Sequence, residues 1–179
     1  MGALLGLSRA IDRVTTWIGY LASLAMLAAC AISCGNALVR YTFSRSSNFW
    51  LEIQWYFFGA TFMLAAAYVL KLNEHVRVDL IYGQLAPRRR LWVDILGTLF
   101  FLMPTCILLG WLTFGMFWKA YVGHEESTNT AGPPLWPALV LFPLGLALLA
   151  LQAVSELIKR VEALRGDGDL DTSYEKPVQ

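Results

Sequence analysis

Charge is scarce in this sequence. Asp, Glu, Lys and Arg make up 15% of its 179 residues, and the formal net charge is +1. Soluble domains carry about 25% charged residues. A chain so close to neutral has no global field with which to gather nucleic acid. Histidine and cysteine are scarcer still, at two and three residues. That leaves no material for a disulfide framework, and no metal-ligand spacing is present. A phosphate-cradling glycine loop and a Ser-His-Asp arrangement are also missing. What the chain has in excess is apolar, with 57% hydrophobic and 13% aromatic residues. This excludes a disordered chain and argues against an ordinary soluble globule.

The apolar residues fall into four long runs. A bilayer core about 30 Å thick needs roughly 20 apolar residues at helical rise. The runs cover 14–39, 53–70, 95–118 and 135–157, and none carries a charge at its middle. They predict an all-α integral membrane protein with four transmembrane helices at about 14–39, 50–70, 92–118 and 135–158. Helix is forced, because hydrocarbon offers no water to satisfy backbone groups. The in/out alternation of a β-barrel is missing. Pro104 and Pro143, inside the third and fourth runs, predict mild kinks.

Basic residues set the expected orientation. Arg9 and Arg13 precede the first run, while Lys71, Arg77, Arg88, Arg89 and Arg90 lie between the second and third. Lys159, Arg160, Arg165 and Lys176 close the chain, which puts eleven basic residues on this side. The other side holds three, Arg40, Arg45 and Lys119. Both termini are therefore expected in the cytoplasm. Trp50, Trp55, Tyr56, Trp118, Tyr121 and Trp136 collect at the external ends, as aromatic anchors do. The Leu27–Cys30 stretch resembles a lipoprotein processing box. The apolar run continues through Val39, longer than a signal-peptide core, so the expectation is that it is not processed.

The loops differ in character. Val78, Ile81, Tyr82 and Leu85 follow helical spacing and predict a short amphipathic helix on the cytoplasmic interface, ended by Pro87. Residues 1–165 read as one membrane domain, and 166–179 as a disordered cytoplasmic tail. The external loop Gly123–Pro137 carries the acidic pair Glu125 and Glu126. His75 and His124 fall in loops on opposite sides and cannot serve together as axial haem ligands. Cys30, Cys34 and Cys106 read as small buried packing residues.

Ionisable groups deep in a membrane usually mark a substrate or ion path. Here they stop at the helix ends, with Arg40 and Glu52 outside and Asp94 and Glu156 inside. Arg40 and Glu52 are close enough to the external surface to suggest an ion pair. What remains is packing. Ala22, Ala25, Ala29, Ser33 and Asn36 share one helix face, as do Glu52, Tyr56, Gly59, Met63 and Ala66. Gly145, Gln152 and Glu156 align on the fourth helix. Small and polar residues at these spacings suit close helix contacts, within the chain or with another subunit.

Several segments together carry a family resemblance. They are Arg40-Tyr41-x-Phe43, then Ser47-Asn48-x-Trp50-Leu51-Glu52-x-Gln54-Trp55-Tyr56. Ala67-Tyr68 leads into Asn73-Glu74-His75-Val76-Arg77-Val78-Asp79. Glu126-Ser127, Trp136-Pro137, Pro143-x-Gly145, Leu151-Gln152 and Ser155-Glu156 follow. The chain resembles the small membrane subunit of TRAP transporters, the tripartite ATP-independent periplasmic uptake systems, and most of all their mannitol/chloroaromatic-like branch. Pro133-Pro134 stands where that pattern is richer in glycine.

The resemblance implies a subunit that is not an enzyme and holds no cofactor. It implies a large membrane subunit, a periplasmic substrate-binding protein and membrane phospholipids as partners, and no nucleic acid. It further implies sodium-driven uptake of organic acids or related solutes across the bacterial inner membrane, with this chain extending the fixed scaffold. The implied interface or structural residues are Arg40, Asn48, Trp50, Glu52, Trp55, Asn73, Glu74, His75, Arg77, Asp79, Gln152 and Glu156. Glu125 and Glu126 are expected contacts for the binding protein, and Arg88, Arg89 and Arg90 serve lipid contact or orientation. The residues alone also leave open a stand-alone small transporter or assembly protein, and a membrane redox subunit.

Overall fold

The four apolar runs fold as helices, and the polar residues at their ends decide how far each helix continues. The computed structural model describes residues 2–44, 47–73, 85–129 and 132–165. Among these the chain is all-helical, apart from one isolated antiparallel bridge between Glu126 and Pro134. Helix α1 is Gly2–Phe43 and α2 is Asn48–Leu72. Helix α3, Pro87–Gly97, continues through a π-helical turn at Thr98–Leu102 into α4, Met103–Val122. A single turn, α5, Trp136–Leu139, leads into α6, Leu141–Arg165. Four stretches are long and apolar enough to cross a membrane.

Helix α1 has 42 residues and is roughly 63 Å long at 1.5 Å per residue. It starts well before the expected position 14, and the physical reason is local. Ser8, Ile11 and Thr15 are buried, so the stretch before the apolar run has a packed face of its own. Helix α2 ends at Asn73, whose left-handed φ of 61° turns its N–H back onto the carbonyls of Val69 and Leu70. The chain accommodates Pro104 and Pro143 in two different ways. Pro104 cannot donate a backbone hydrogen bond, and the helix widens just before it, with the Met103 N–H donating to Thr98 O. Pro143 falls in the first turn of α6, where its missing N–H costs nothing.

Helix α6 is the centre of the bundle. It packs against α1, α2 and α4, and α1 also packs along α2. Helix α4 leans chiefly on α6, so the four spans form an open arrangement rather than a closed square. Close approach rests on small residues. An added Cβ on Gly145 would stand 2.6 Å from Met63 O, and one on Gly19 would stand 2.6 Å from the Tyr68 ring. Five of the eight buried apolar residues are alanines: Ala22, Ala29, Ala67, Ala120 and Ala153. The large side chains point outward, with Trp111 78% and Phe101 76% exposed. Water would not tolerate that distribution, whereas lipid or another membrane subunit does.

Candidate functional site

Charged side chains of the spans gather at the two ends of the bundle. At one end lie the beginning of α1, the end of α2, α3 and the end of α6. Ser8, Asp12 and Thr15 follow one another at four- and three-residue intervals, so helical geometry stacks them on one face of α1. Gln152, Ser155, Glu156, Lys159 and Arg160 do the same on α6. The two stripes meet. Ser8 and Ser155 share a hydrogen bond of 2.7 Å, and Thr15 Oγ1 donates to Gln152 Oε1 at 2.8 Å. Gln152 Nε2 and Ser155 Oγ both donate to Asp12 Oδ1, each at 2.9 Å. Gln152 is fully buried, and its amide has partners on both α1 and α6.

Charges close the same network. Lys159 Nζ lies 2.7 Å from Asp12 Oδ2 and 2.7 Å from Glu156 Oε1. Arg160 reaches Glu156 Oε2 at 3.0 Å and Asp94 Oδ2, on α3, at 3.3 Å. Lys71, at the end of α2, donates to Thr16 Oγ1 and to the Asp12 carbonyl. Lys159 and Arg160 thus pair with three carboxylates, and Lys71, bonded to the Asp12 backbone, brings the formal charge of the group to zero. Glu156 and Arg160 are buried. Such a pair tolerates burial only because each charge is matched and hydrogen-bonded. The network touches all four spans and holds their ends together.

The other end is built around Glu52, on the first turns of α2. Its carboxylate is buried, at 5% exposure, and has no cation within ion-pair distance among the described residues. Ser127 Oγ donates to Glu52 Oε1 at 2.7 Å, and Asn129 Nδ2 donates to the same oxygen. Both donors belong to the loop after α4. One turn along α2, Tyr56 Oη donates to the Pro134 carbonyl at 3.0 Å. The loop is folded back on itself as well. Ser127 N–H donates to Pro133 O, and Leu135 N–H to Glu125 O. Gly132 sits so close to Ser127 that an added Cβ would stand 2.4 Å from the serine Cβ.

The expected pairing of Arg40 with Glu52 is not formed. Loop hydroxyl and amide groups take the carboxylate instead, and the Arg40 guanidinium lies 5.9 Å from the ring centroid of Tyr41. Asn48, Trp50 and Trp55 surround the start of α2 with their side chains exposed. Asn73 caps the end of that helix. Gln152 and Glu156 are joined in the α1–α6 network, while Glu125 and Glu126 are exposed on the loop. Arg88 and Arg89 are exposed on the first turn of α3, and Arg90 is half-buried. Glu74, His75, Arg77 and Asp79, with most of the expected amphipathic helix, lie outside the described residues. Cys106 is buried as expected, but Cys30 and Cys34 are exposed on α1, which runs unbroken through both.

Reading the sequence for charge at depth passed over Asp12 and Ser8, and treated Lys159 and Arg160 only as orientation signals. The signal was present in the matched polar stripes at helical spacing on α1 and α6. Ser127 and Asn129 had no such stripe, because they lie in a loop without helical periodicity, and Ser127 stood out only within the Glu126-Ser127 segment of the resemblance.

The fold and its polar ends define a class: a multi-pass helical membrane protein with lipid-compatible outer faces and an apolar middle layer. Within that class, residues 29–163, about three quarters of the chain, match the family described as Tripartite ATP-independent periplasmic transporters, DctQ component. The chain belongs to this family, and is therefore a small membrane component of a TRAP transporter and not an enzyme. No curated protein and no solved structure matches it.

Proposed function

We propose that this chain pairs with the large membrane subunit of a TRAP transporter and enlarges its fixed scaffold, while the large subunit carries substrate and sodium. Uptake is then driven by the sodium gradient and fed by a periplasmic binding protein. The substrates are organic acids or related solutes, as in the mannitol/chloroaromatic-like branch. The membrane is the bacterial inner membrane. The network end faces the cytoplasm and the Glu52 end faces the periplasm, in line with the distribution of basic residues.

One observation supports the reading above others. Asp12, Asp94, Glu156, Lys159 and Arg160 pair with one another at one end, and the middle of every span is free of Asp, Glu, Lys, Arg and His. A chain built this way is suited to bracing a moving neighbour. The remaining assignments follow from position. Glu125 and Glu126 face the binding protein. Arg88, Arg89 and Arg90 meet anionic headgroups. His75, Arg77 and Asp79 are assigned to the cytoplasmic connection between α2 and α3, outside the described residues.

The test is co-purification in mild detergent. The tagged chain is expected to bring down the large subunit, and uptake is expected only when all three components are present. Arg77→Ala is expected to lower complex yield or uptake while leaving the binding protein's affinity for free substrate unchanged. A chain that purifies without the large subunit from cells producing both would contradict the reading.

A further inference from the structure

Glu52 is the only carboxylate at its end of the bundle that is buried among the described residues. Burying a carboxylate without a cation is costly unless hydrogen bonds compensate. Both compensating bonds come from one loop, through Ser127 Oγ at 2.7 Å and Asn129 Nδ2. Each donor therefore loses a buried acceptor if the loop moves away, and the carboxylate loses its compensation. The Tyr56 to Pro134 bond fixes the far side of the same loop on the same helix. Gly132 allows the chain to pass within contact of Ser127. The loop is thus held on α2 by three side-chain bonds, and its own backbone bonds at Ser127 and Leu135 keep it folded.

We infer that Glu52 is a positioning residue: through Ser127 and Asn129 it fixes the loop residues 123–129 and 132–135 in the one shape that the soluble binding protein engages. The inference deepens the proposed function and rests on it. Glu52 does not touch the partner. It acts by holding in place the loop that carries the exposed Glu125 and Glu126. Loss of the clamp therefore raises the concentration of binding protein needed for half-maximal uptake, and leaves the maximal rate to the large subunit.

The experiment uses the complete complex in proteoliposomes, with substrate-loaded binding protein titrated from the periplasmic side. For Glu52→Ala, the half-saturating binding-protein concentration should rise at least about fivefold, with maximal rate and complex yield within about twofold of the parent. Backbone amides of 123–129 and 132–135 should exchange faster, because their anchoring is lost. Glu52→Gln keeps an acceptor oxygen and should restore half-saturation to within about twofold. Should Glu52→Ala fail to accumulate, the paired variant Ser127→Ala with Asn129→Ala leaves α2 intact and should give the same shift. A fall in maximal rate or complex yield with unchanged half-saturation would overturn the inference, as would unchanged exchange of the loop. If uptake by the parent complex needs no binding protein, the proposed function fails. The exchange of 123–129 and 132–135 in Glu52→Ala then still decides whether the clamp exists.

Discussion

At the residue scale, the structure depends on a few positions where size or pairing allows one solution. Gly145 is one. The α6 backbone passes so near Met63 that a Cβ would stand 2.6 Å from its carbonyl oxygen. Gly145→Leu should destabilise the α2–α6 contact by about 1–3 kcal/mol, read as a lower unfolding midpoint in detergent. A Cβ added to Gly35 would meet nothing within 4 Å, so Gly35→Ala should leave that midpoint unchanged or slightly raised. Arg160 is the second kind of position. Arg160→Met removes the cation shared by Glu156 and Asp94 while Lys159 still pairs with Glu156, and should cost up to about 3 kcal/mol, the low end for a broken buried pair. Replacing Glu156 by Leu in that variant should recover part of the loss, since a removed pair is less costly than half of one. No recovery in the double variant would mean that Arg160 acts through packing alone.

At the element scale, sequence and structure agree where hydrophobicity dictates the answer and diverge where hydrogen bonding does. The four spans were legible because hydrocarbon forces helix on any long apolar run. Their ends were less so. A search for apolar runs stops at Arg13, yet α1 continues to Gly2 because Ser8, Ile11 and Thr15 have a partner face on α6. The face Glu52, Tyr56, Gly59, Met63 and Ala66 was legible in part: Glu52 and Tyr56 meet the loop and Met63 meets Gly145, but a Cβ on Gly59 would meet nothing within 4 Å, and Ala67 rather than Ala66 is buried. The face on α1 was legible only in part. Ala22 and Ala29 are buried, but Ser33 is exposed. The Glu52 clamp was not legible, because a loop carries no periodic stripe that could be matched to a face of α2. The π-helical turn before Pro104 yields its own prediction. Deleting Phe100 together with Pro104→Ala should let the i→i−5 bond of Met103 become an ordinary i→i−4 bond. Because such a turn absorbs one extra residue, Asp94 should still reach Arg160. A double-mutant cycle on that pair should give the same coupling as in the parent, and lost coupling would show that the turn sets the phase of α3.

At the scale of the whole molecule, the two ends differ in chemistry. One is a neutral ionic knot joining all four spans; the other is a loop clamped on a single helix. The proposed orientation has the knot in the cytoplasm. In a cysteine-free background, Thr128→Cys, on the exposed part of the loop, should react with an impermeant maleimide on intact cells. Arg165→Cys should react only after permeabilisation. The reverse pattern would invert the topology and with it the placement of Glu125 and Glu126.

A chain with an apolar middle layer and an ionic network at one end suits the proposed scaffold role. Proteoliposomes put this to the test, comparing sodium-dependent uptake by this chain alone, by the large subunit alone, and by both together with the binding protein. Uptake is expected with the full set, and none above empty vesicles with this chain alone. Uptake by this chain in isolation would contradict the scaffold role.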